Sequence, residues 1–345
     1  MKSTLPSDIL SLMENKGEGH GALRVGVIDI GTNSVRLLVA DFGHDEGFQR
    51  VFEDRRITRL GEGSQNSGRL SEEAIQRTLE TLCVFLVKAQ EKGAARVLGA
   101  ATSAVREASN GQLFAERARE LTGLEIRVLS GNEEAGWMAR GISLLWAFAP
   151  ERWIALDIGG GSTEFALMER DVFREAFSIR LGMVHLTEDL LTRDPPSSFQ
   201  MERCRNVSKE AIIEALRICA LQRDLPTLIV GTAGTITCLA AMEMNMDPYD
   251  SERVNGYRLS LEAVDRWCML LAGLNKRKRC EIPGMEPGRE DVILAGTVIL
   301  CEFMRALGSE EIVVSDYGLL EGIALMAARP AFETTTGPLW TNVPD

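Results

Sequence analysis

The chain has 345 residues, 45% of them hydrophobic and 26% charged, which is enough for a sizeable core and for two domains rather than one. A formal net charge of −12 excludes bulk attraction to nucleic acid or to an anionic membrane, so an anionic ligand must be held by local cations or metal. The seven cysteines, at 83, 204, 219, 238, 268, 280 and 301, form no Cys-x-x-Cys pair and read as buried thiols of a reducing compartment, not a disulfide framework or zinc site. No apolar run reaches the roughly 18 residues of a membrane span, and the N-terminus lacks a charged-then-apolar signal. A cytoplasmic protein is expected.

Residues 1–22 read as a loosely held extension. "LRVGVIDIGTNSVRLLVADF" then predicts strand, tight turn, strand, and "FQRVFEDRR" a third strand. Ser71 predicts the cap of a long helix with Glu72 and Glu73 in its first turn and Gly93 beyond its end. "ARVLGAAT" is a strand, Asn110 to Leu121 a helix stopped by Gly123, and "LEIRVLS" a strand leading into the helix "GNEEAGWMARGISLLW". At Trp153 the pattern restarts. "RWIALDIGGGSTEFALME" is again strand, glycine turn, strand, and "VFREAFSIR" supplies a third. A long helix follows Phe199. "TLIVGTAGTITCLAA" is a buried strand entering a helix through Gly231, Thr232, Ala233 and Gly234, and "EIVVSDYGLLEGIALM" repeats that logic with Ser315, Asp316 and Gly318. The tail at 329–345 shows no periodicity.

"VIDIGTNSVRLLVA" and "ALDIGGGSTEFALM" share Asp-Ile-Gly at the same place in the same unit, which makes Asp29 and Asp157 equivalent and the chain an internal duplication. Hairpins mixed with strand-to-helix units imply an α/β fold, a mixed sheet flanked by helices in each half, with a ligand cleft between the halves. The expected boundaries are 23–147 and 148–328, the last helix being free to pack back on the first domain.

Glycines followed by Ser and Thr place several backbone N–H groups in one concavity, which binds phosphate oxygens. Asp157 ends one strand and Glu164 begins the next, so two carboxylates and a phosphate would suit Mg²⁺. The competing reading is an ordinary glycine hairpin with solvated acids; repetition of the turn, with two more Gly/Thr/Ser turns at strand ends, favours phosphate. No GxxxxGK[ST] exists, and no GxGxxG opens a helix after the first strand. Glu133 and Glu134 are either dipole-stabilising acids of a first helical turn or a carboxylate placed to take a proton from water. Arg36 and Arg106 lie at strand-end turns and match phosphate geometry, although each alone also reads as a surface ion pair. Lys276-Arg277-Lys278-Arg279 reads as a solvated basic loop able to guide a long anion. With only His20, His44 and His185, a His-centred metal site or triad is disfavoured, and His44-Asp45 reads as a turn.

Six segments in order, "DIGTNSVRLLVAD", "ATSAVREASN", "SGNEEA", "DIGGGSTEF", "GTAGTITCLAA" and "SDYGLLEGIAL", resemble the exopolyphosphatase and guanosine pentaphosphate phosphatase family from about Val25 to about Leu325. The resemblance implies two duplicated actin-like (ribonuclease H-like) domains. It implies Glu134 as catalytic base and Asp157 and Glu164 as Mg²⁺ and water-positioning carboxylates. Asn33, Ser34, Arg36, Arg106, Gly159, Gly160, Gly161, Ser162, Thr163, Gly234 and Thr235 are the implied phosphate contacts. The implied reaction is hydrolysis of a terminal phosphoanhydride of inorganic polyphosphate. Guanosine pentaphosphate is the alternative substrate, and a nucleotide-dependent kinase or a polyphosphate sensor without turnover the more distant readings. The chain resembles the short, two-domain form of the family, and a homodimer is the implied assembly.

Overall fold

A computed structural model of the chain describes residues 23–43, 47–146, 150–218 and 228–328. The expected extension at 1–22, the His44-Asp45 turn, Cys219 and the tail at 329–345 lie outside these residues. The strands are β1 (Leu23–Ile30), β2 (Ser34–Gly43), β3 (Gly47–Ile57), β4 (Arg96–Ala101), β5 (Ile126–Val128), β6 (Trp153–Ile158), β7 (Thr163–Glu169), β8 (Val172–Ile179), β9 (Leu228–Thr232), β10 (Arg258–Ser260) and β11 (Glu311–Val314). The longer helices are α1 (Glu72–Glu91), α2 (Gly111–Thr122), α3 (Gly131–Ile142), α4 (Met183–Leu190), α5 (Ser198–Ile218), α6 (Ala233–Glu243), α7 (Leu261–Gly273), α8 (Ile293–Leu307) and α9 (Leu319–Ala327). The chain divides into two compact units after Ala149 and after Tyr317, so α9 belongs with the first unit.

The first unit is built on one sheet in the order β3-β2-β1-β4-β5. β1, β2 and β3 run antiparallel, while β4 and β5 are parallel to β1. Side-chain alternation sends Ile28, Ile30, Val35, Leu37 and Val39 into one core cluster with α1 and α2, where Phe85 and Phe114 are fully buried. Ser71 caps α1 by accepting from the Ala74 amide at 3.2 Å, and Gly123 ends α2 at φ 72°. α9 lies on β1 and β2 beside α3. The α3 and α9 backbones touch: a Cβ at Gly141 would fall 1.8 Å from the Gly318 carbonyl oxygen, and one at Gly322 would fall 1.8 Å from that of Trp137. Only glycine permits this approach. Arg50 on β3 ties the start of α9 down by donating to Glu321 at 2.8 Å, and the other Glu321 oxygen accepts the Gly318 amide at 2.7 Å.

The second unit repeats the plan as β8-β7-β6-β9-β11, with β10 added antiparallel at the β11 edge. β6, β7 and β8 are antiparallel, and β9 and β11 continue parallel to β6. Both sheets therefore carry the strand order of the actin-like, ribonuclease H-like fold. α8 is buried at every position from Ile293 to Met304, with α4, α5, α6 and α7 packed around it. A helix buried along that length belongs in the middle of such a layer.

Two sequence expectations need correction here. Lys276–Arg279 is a helical turn, not a solvated loop. Arg279 is buried, and its guanidinium donates to the Leu271 carbonyl at 3.0 Å and the Glu290 carbonyl at 3.2 Å. Cys204, Cys238, Cys268 and Cys301 are buried as expected, and burial pushes the Cys204 thiol up to about 12; Cys280, however, is exposed.

Candidate functional site

In the first unit the parallel strands end together. The Thr102 amide donates to the Ile30 carbonyl at 3.2 Å and the Leu129 amide to the Ala101 carbonyl at 2.9 Å. Three segments thus leave one sheet at its carboxyl edge, where open α/β sheets place ligands. The first is the Gly31–Ser34 turn, closed by the Gly31 amide on the Ser34 carbonyl at 3.0 Å. The Thr32 carbonyl accepts from Gly61 at 2.9 Å, and the Asn33 carbonyl from Arg59 at 2.9 Å. In a trans peptide the following N–H points the opposite way. The Asn33 and Ser34 amides therefore face away from the 59–61 stretch, in the manner of an anion nest. Arg36 stands directly opposite Asp29 on β1 and Arg55 on β3, so the three share a face. Its guanidinium lies 3.8 Å from Glu53.

The second segment is the helical turn Ser103–Glu107, linked to the first by a 2.9 Å contact between the Ser103 and Thr32 hydroxyls. The third opens α3, and here the two adjacent glutamates separate in role. Glu133 completes a capping box: its amide donates to the Ser130 hydroxyl at 3.2 Å and its carboxylate accepts the Ser130 amide at 2.8 Å. It also takes an ion pair from Arg127. Glu134 is buried at 7% exposure and points elsewhere, accepting from Arg106 Nη1 at 2.9 Å. The same Nη1 donates to the Leu129 carbonyl at 2.8 Å, which fixes the guanidinium between the second and third segments. Arg106 and Glu134 are thus brought together, while Glu133 serves the helix.

In the second unit the β6–β7 hairpin repeats the turn position by position. The Gly159 amide donates to the Ser162 carbonyl at 3.0 Å, and Asp157 is opposite Glu164 as Asp29 is opposite Arg36. The Gly159 and Gly160 carbonyls accept the Met183 and Val184 amides at the start of α4, at 3.0 and 2.9 Å. By the same peptide geometry, the Gly160 and Gly161 N–H groups face away from α4. Ser178 donates to Glu164 Oε1 at 2.6 Å. Two implied contacts have their hydroxyls engaged within the fold. Thr163 donates to the Leu181 carbonyl at 2.6 Å, and the Thr235 hydroxyl lies 3.4 Å from the Ile158 carbonyl and 3.2 Å from the Met183 sulfur. Thr232, the N-cap of α6, donates its hydroxyl to the Tyr317 carbonyl at 2.9 Å, so no side chain caps the first turn that holds Gly234 and Thr235. Amides of a first helical turn have no partner within the helix.

The profile of the Ppx/GppA phosphatase family matches residues 38–329. The chain belongs to the Ppx/GppA phosphatase family. It is 35% identical over 319 residues to "Exopolyphosphatase 2" of Mycobacterium tuberculosis, covering 88% of this chain and 98% of the relative. A solved structure of the Aquifex aeolicus family member is 31% identical with a TM-score of 0.75, covering 92% of this chain and all of that one. A solved exopolyphosphatase from Cytophaga hutchinsonii is 29% identical with a TM-score of 0.80, covering 88% and 97%.

One residue of this Ppx/GppA chain escaped the motif reading. Arg289, buried at 6% exposure just ahead of α8, lays its guanidinium on the start of α6: a Cβ at Gly234 would fall 1.5 Å from its Nη2. Its Nε–H pairs with Glu286. The only sequence signal was a lone arginine in "PGRED", with nothing to connect it to "GTAGT". As for metal, Asp157 and Glu164 offer hard carboxylate oxygens in register, a donor set that fits Mg²⁺, which takes one or two carboxylates and fills its remaining positions with water and phosphate. No cluster of three or more His, Cys, Asp or Glu able to hold a metal occurs among the described residues, and no helix among them is long and apolar enough to cross a membrane.

Proposed function

We propose that the chain is an exopolyphosphatase that releases orthophosphate from the end of inorganic polyphosphate. Its family makes it a phosphoanhydride hydrolase; the preference for inorganic chains is supported by the similarity to an exopolyphosphatase along nearly the whole length. The observation that carries the reading is the buried Glu134 held by Arg106, whose helical turn is linked through Ser103 and Thr32 to the amide-lined Gly31–Ser34 turn. Glu134 takes a proton from the attacking water as its oxygen bonds to the terminal phosphorus. The bridging P–O bond then breaks, and the shortened chain leaves with the bond's electron pair. General-base assistance of this kind contributes roughly 10²–10⁴-fold. Arg106 and the amides of the Gly31–Ser34 turn meet the non-bridging oxygens, where charge is held through the transfer. Asp157 and Glu164 would hold Mg²⁺, which when bound screens the phosphate charge. A homodimer is part of the same reading, checked by sedimentation of the purified chain.

The test is orthophosphate release with Mg²⁺ from long polyphosphate, tripolyphosphate, guanosine pentaphosphate and ATP, each run in parallel with Glu134→Gln. Release from polyphosphate that is lost in the variant supports the reading. Release mainly from guanosine pentaphosphate moves the substrate to the alarmone with the same chemistry. Turnover that survives in Glu134→Gln removes the assigned base.

A further inference from the structure

Two buried donors at the Gly31–Ser34 turn, Nδ2 of Asn33 within it and Oγ1 of Thr58 just past the end of β3, have no partner among the described residues. Asn33 is 5% exposed and Thr58 2%. The two residues are joined directly, because the Thr58 amide donates to the Asn33 carbonyl at 3.2 Å. A buried hydroxyl or amide with no acceptor is costly, and native folds retain few of them without a reason. Here two occur on residues bonded to each other, at the turn whose backbone amides already form a nest. Their shared need is an acceptor oxygen.

We propose that Thr58 is a substrate-binding residue whose hydroxyl, together with the Asn33 carboxamide, donates to a phosphate oxygen of the phosphoanhydride chain. The inference rests on the phosphoanhydride reading for the identity of the ligand, and on the structure for the residue. Nothing in the motifs singled Thr58 out, because it lies past the end of β3 in "RRITRLGEG". The stretch that lies on the turn is itself strained and tightly seated. Arg59 adopts φ 49°, in the left-handed region, and a Cβ at Gly61 would fall 2.3 Å from Thr32 Cγ2. Strain of this kind is held where the surroundings over-determine it, and it concentrates at ligand clamps. Both donor atoms are closed to water in this structure, so their contact with a phosphate oxygen requires a local rearrangement at the turn on binding.

The test compares Thr58→Val and Thr58→Ser with the wild-type chain. Valine keeps the shape and removes only the hydroxyl. Three quantities are read: the thermal midpoint, the Kd for tripolyphosphate and for orthophosphate by calorimetry, and the KM for tripolyphosphate. A hydroxyl with no protein partner loses nothing within the fold, so Thr58→Val holds or raises the thermal midpoint. Its Kd and KM for tripolyphosphate rise about tenfold to a hundredfold, the loss of one hydrogen bond to a charged oxygen, and serine restores them. A Thr58→Val variant with wild-type Kd and KM overturns the proposal. So does a lowered midpoint, rescued by serine, at unchanged Kd, which would make the hydroxyl a fold residue. A wild-type chain that binds tripolyphosphate without releasing phosphate overturns the hydrolase reading alone, and the Kd comparison still decides Thr58. A wild-type chain that binds neither anion overturns Thr58 as well.

Discussion

The Arg106 guanidinium donates through one nitrogen to both the Leu129 carbonyl and the Glu134 carboxylate, at 2.8 and 2.9 Å. That single nitrogen joins the helical turn after β4 to the first turn of α3. The cation therefore does two things: it compensates a carboxylate that is 7% exposed, and it aims that carboxylate. Deleting the cation takes this compensation from the more deeply buried carboxylate, and breaking a buried pair in that way ordinarily costs about 3–5 kcal/mol.

The two variants of this pair should therefore behave differently. Glu134→Gln keeps the shape and the hydrogen bond from Arg106, so its thermal midpoint stays near wild type while kcat falls by roughly 10²–10⁴. Arg106→Ala removes the cation from which Glu134 accepts, so it loses both midpoint and kcat. Parallel calorimetry and phosphate-release kinetics check this; an Arg106→Ala variant of undiminished stability would show that the ion pair is not holding the carboxylate.

Glu133 predicts a pH effect of its own. Burial works to raise its pKa, but the Ser130 amide and hydroxyl and the Arg127 guanidinium outweigh burial and hold the carboxyl below its ordinary value. A carboxyl with a depressed folded-state pKa binds its proton more weakly folded than unfolded. Its contribution is present above the unfolded value and is lost as pH falls through the folded one. Glu133→Gln should cost about 0.3–1 kcal/mol near neutrality, and the difference from wild type should close as the pH drops below the carboxylate range. Thermal midpoints measured across pH settle it, and a difference that widens in acid counts against the assignment.

Much of this was legible because it is local. The shared Asp-Ile-Gly of the two hairpins, the cap at Ser71 and the stop at Gly123 are short-range signals, and each lies where the chain pattern places it. The neighbouring glutamates 133 and 134 were both visible, but only the helix geometry shows which one closes a capping box. Remote packing left no trace. α8 is buried at every position from Ile293 to Met304, Glu302 included, so its burial goes beyond any one-faced pattern in the sequence. Arg279 reads as one of four solvated cations until the carbonyls of Leu271 and Glu290 surround it. Arg289 meets Gly234 only through tertiary structure.

That last contact can be tested as a pair. Gly234→Ala drives a methyl into the Arg289 guanidinium, 1.5 Å from Nη2, and overpacking of this kind costs about 1–3 kcal/mol. Arg289→Ala makes the room. The double variant should therefore be less destabilised than the sum of the singles, with a coupling of roughly 0.5–3 kcal/mol. Additive effects in denaturant titrations would mean that the arginine moves aside freely and does not define the start of α6.

The α3–α9 crossing should govern both stability and turnover. Trp137 lies one turn beyond Glu134 on α3, and its carbonyl oxygen occupies the space where a Gly322 side chain would sit, 1.8 Å from the position of a Cβ. The obstacle is backbone, so no rotamer can relieve it. Gly322→Ala must separate the helices, at about 1–3 kcal/mol or more, which in a unit of this size lowers the thermal midpoint by roughly 2–4 °C for each kcal/mol. Because α3 carries Glu134, the same separation moves the carboxylate off its position and lowers kcat. On the proposed reading, orthophosphate binding at the glycine turn of β6–β7 in the second unit should be left nearly as it is. Calorimetry with orthophosphate beside steady-state kinetics separates the two effects: a variant that loses stability but keeps wild-type kcat would show that α3 is held in place by its contacts to the sheet, not by α9.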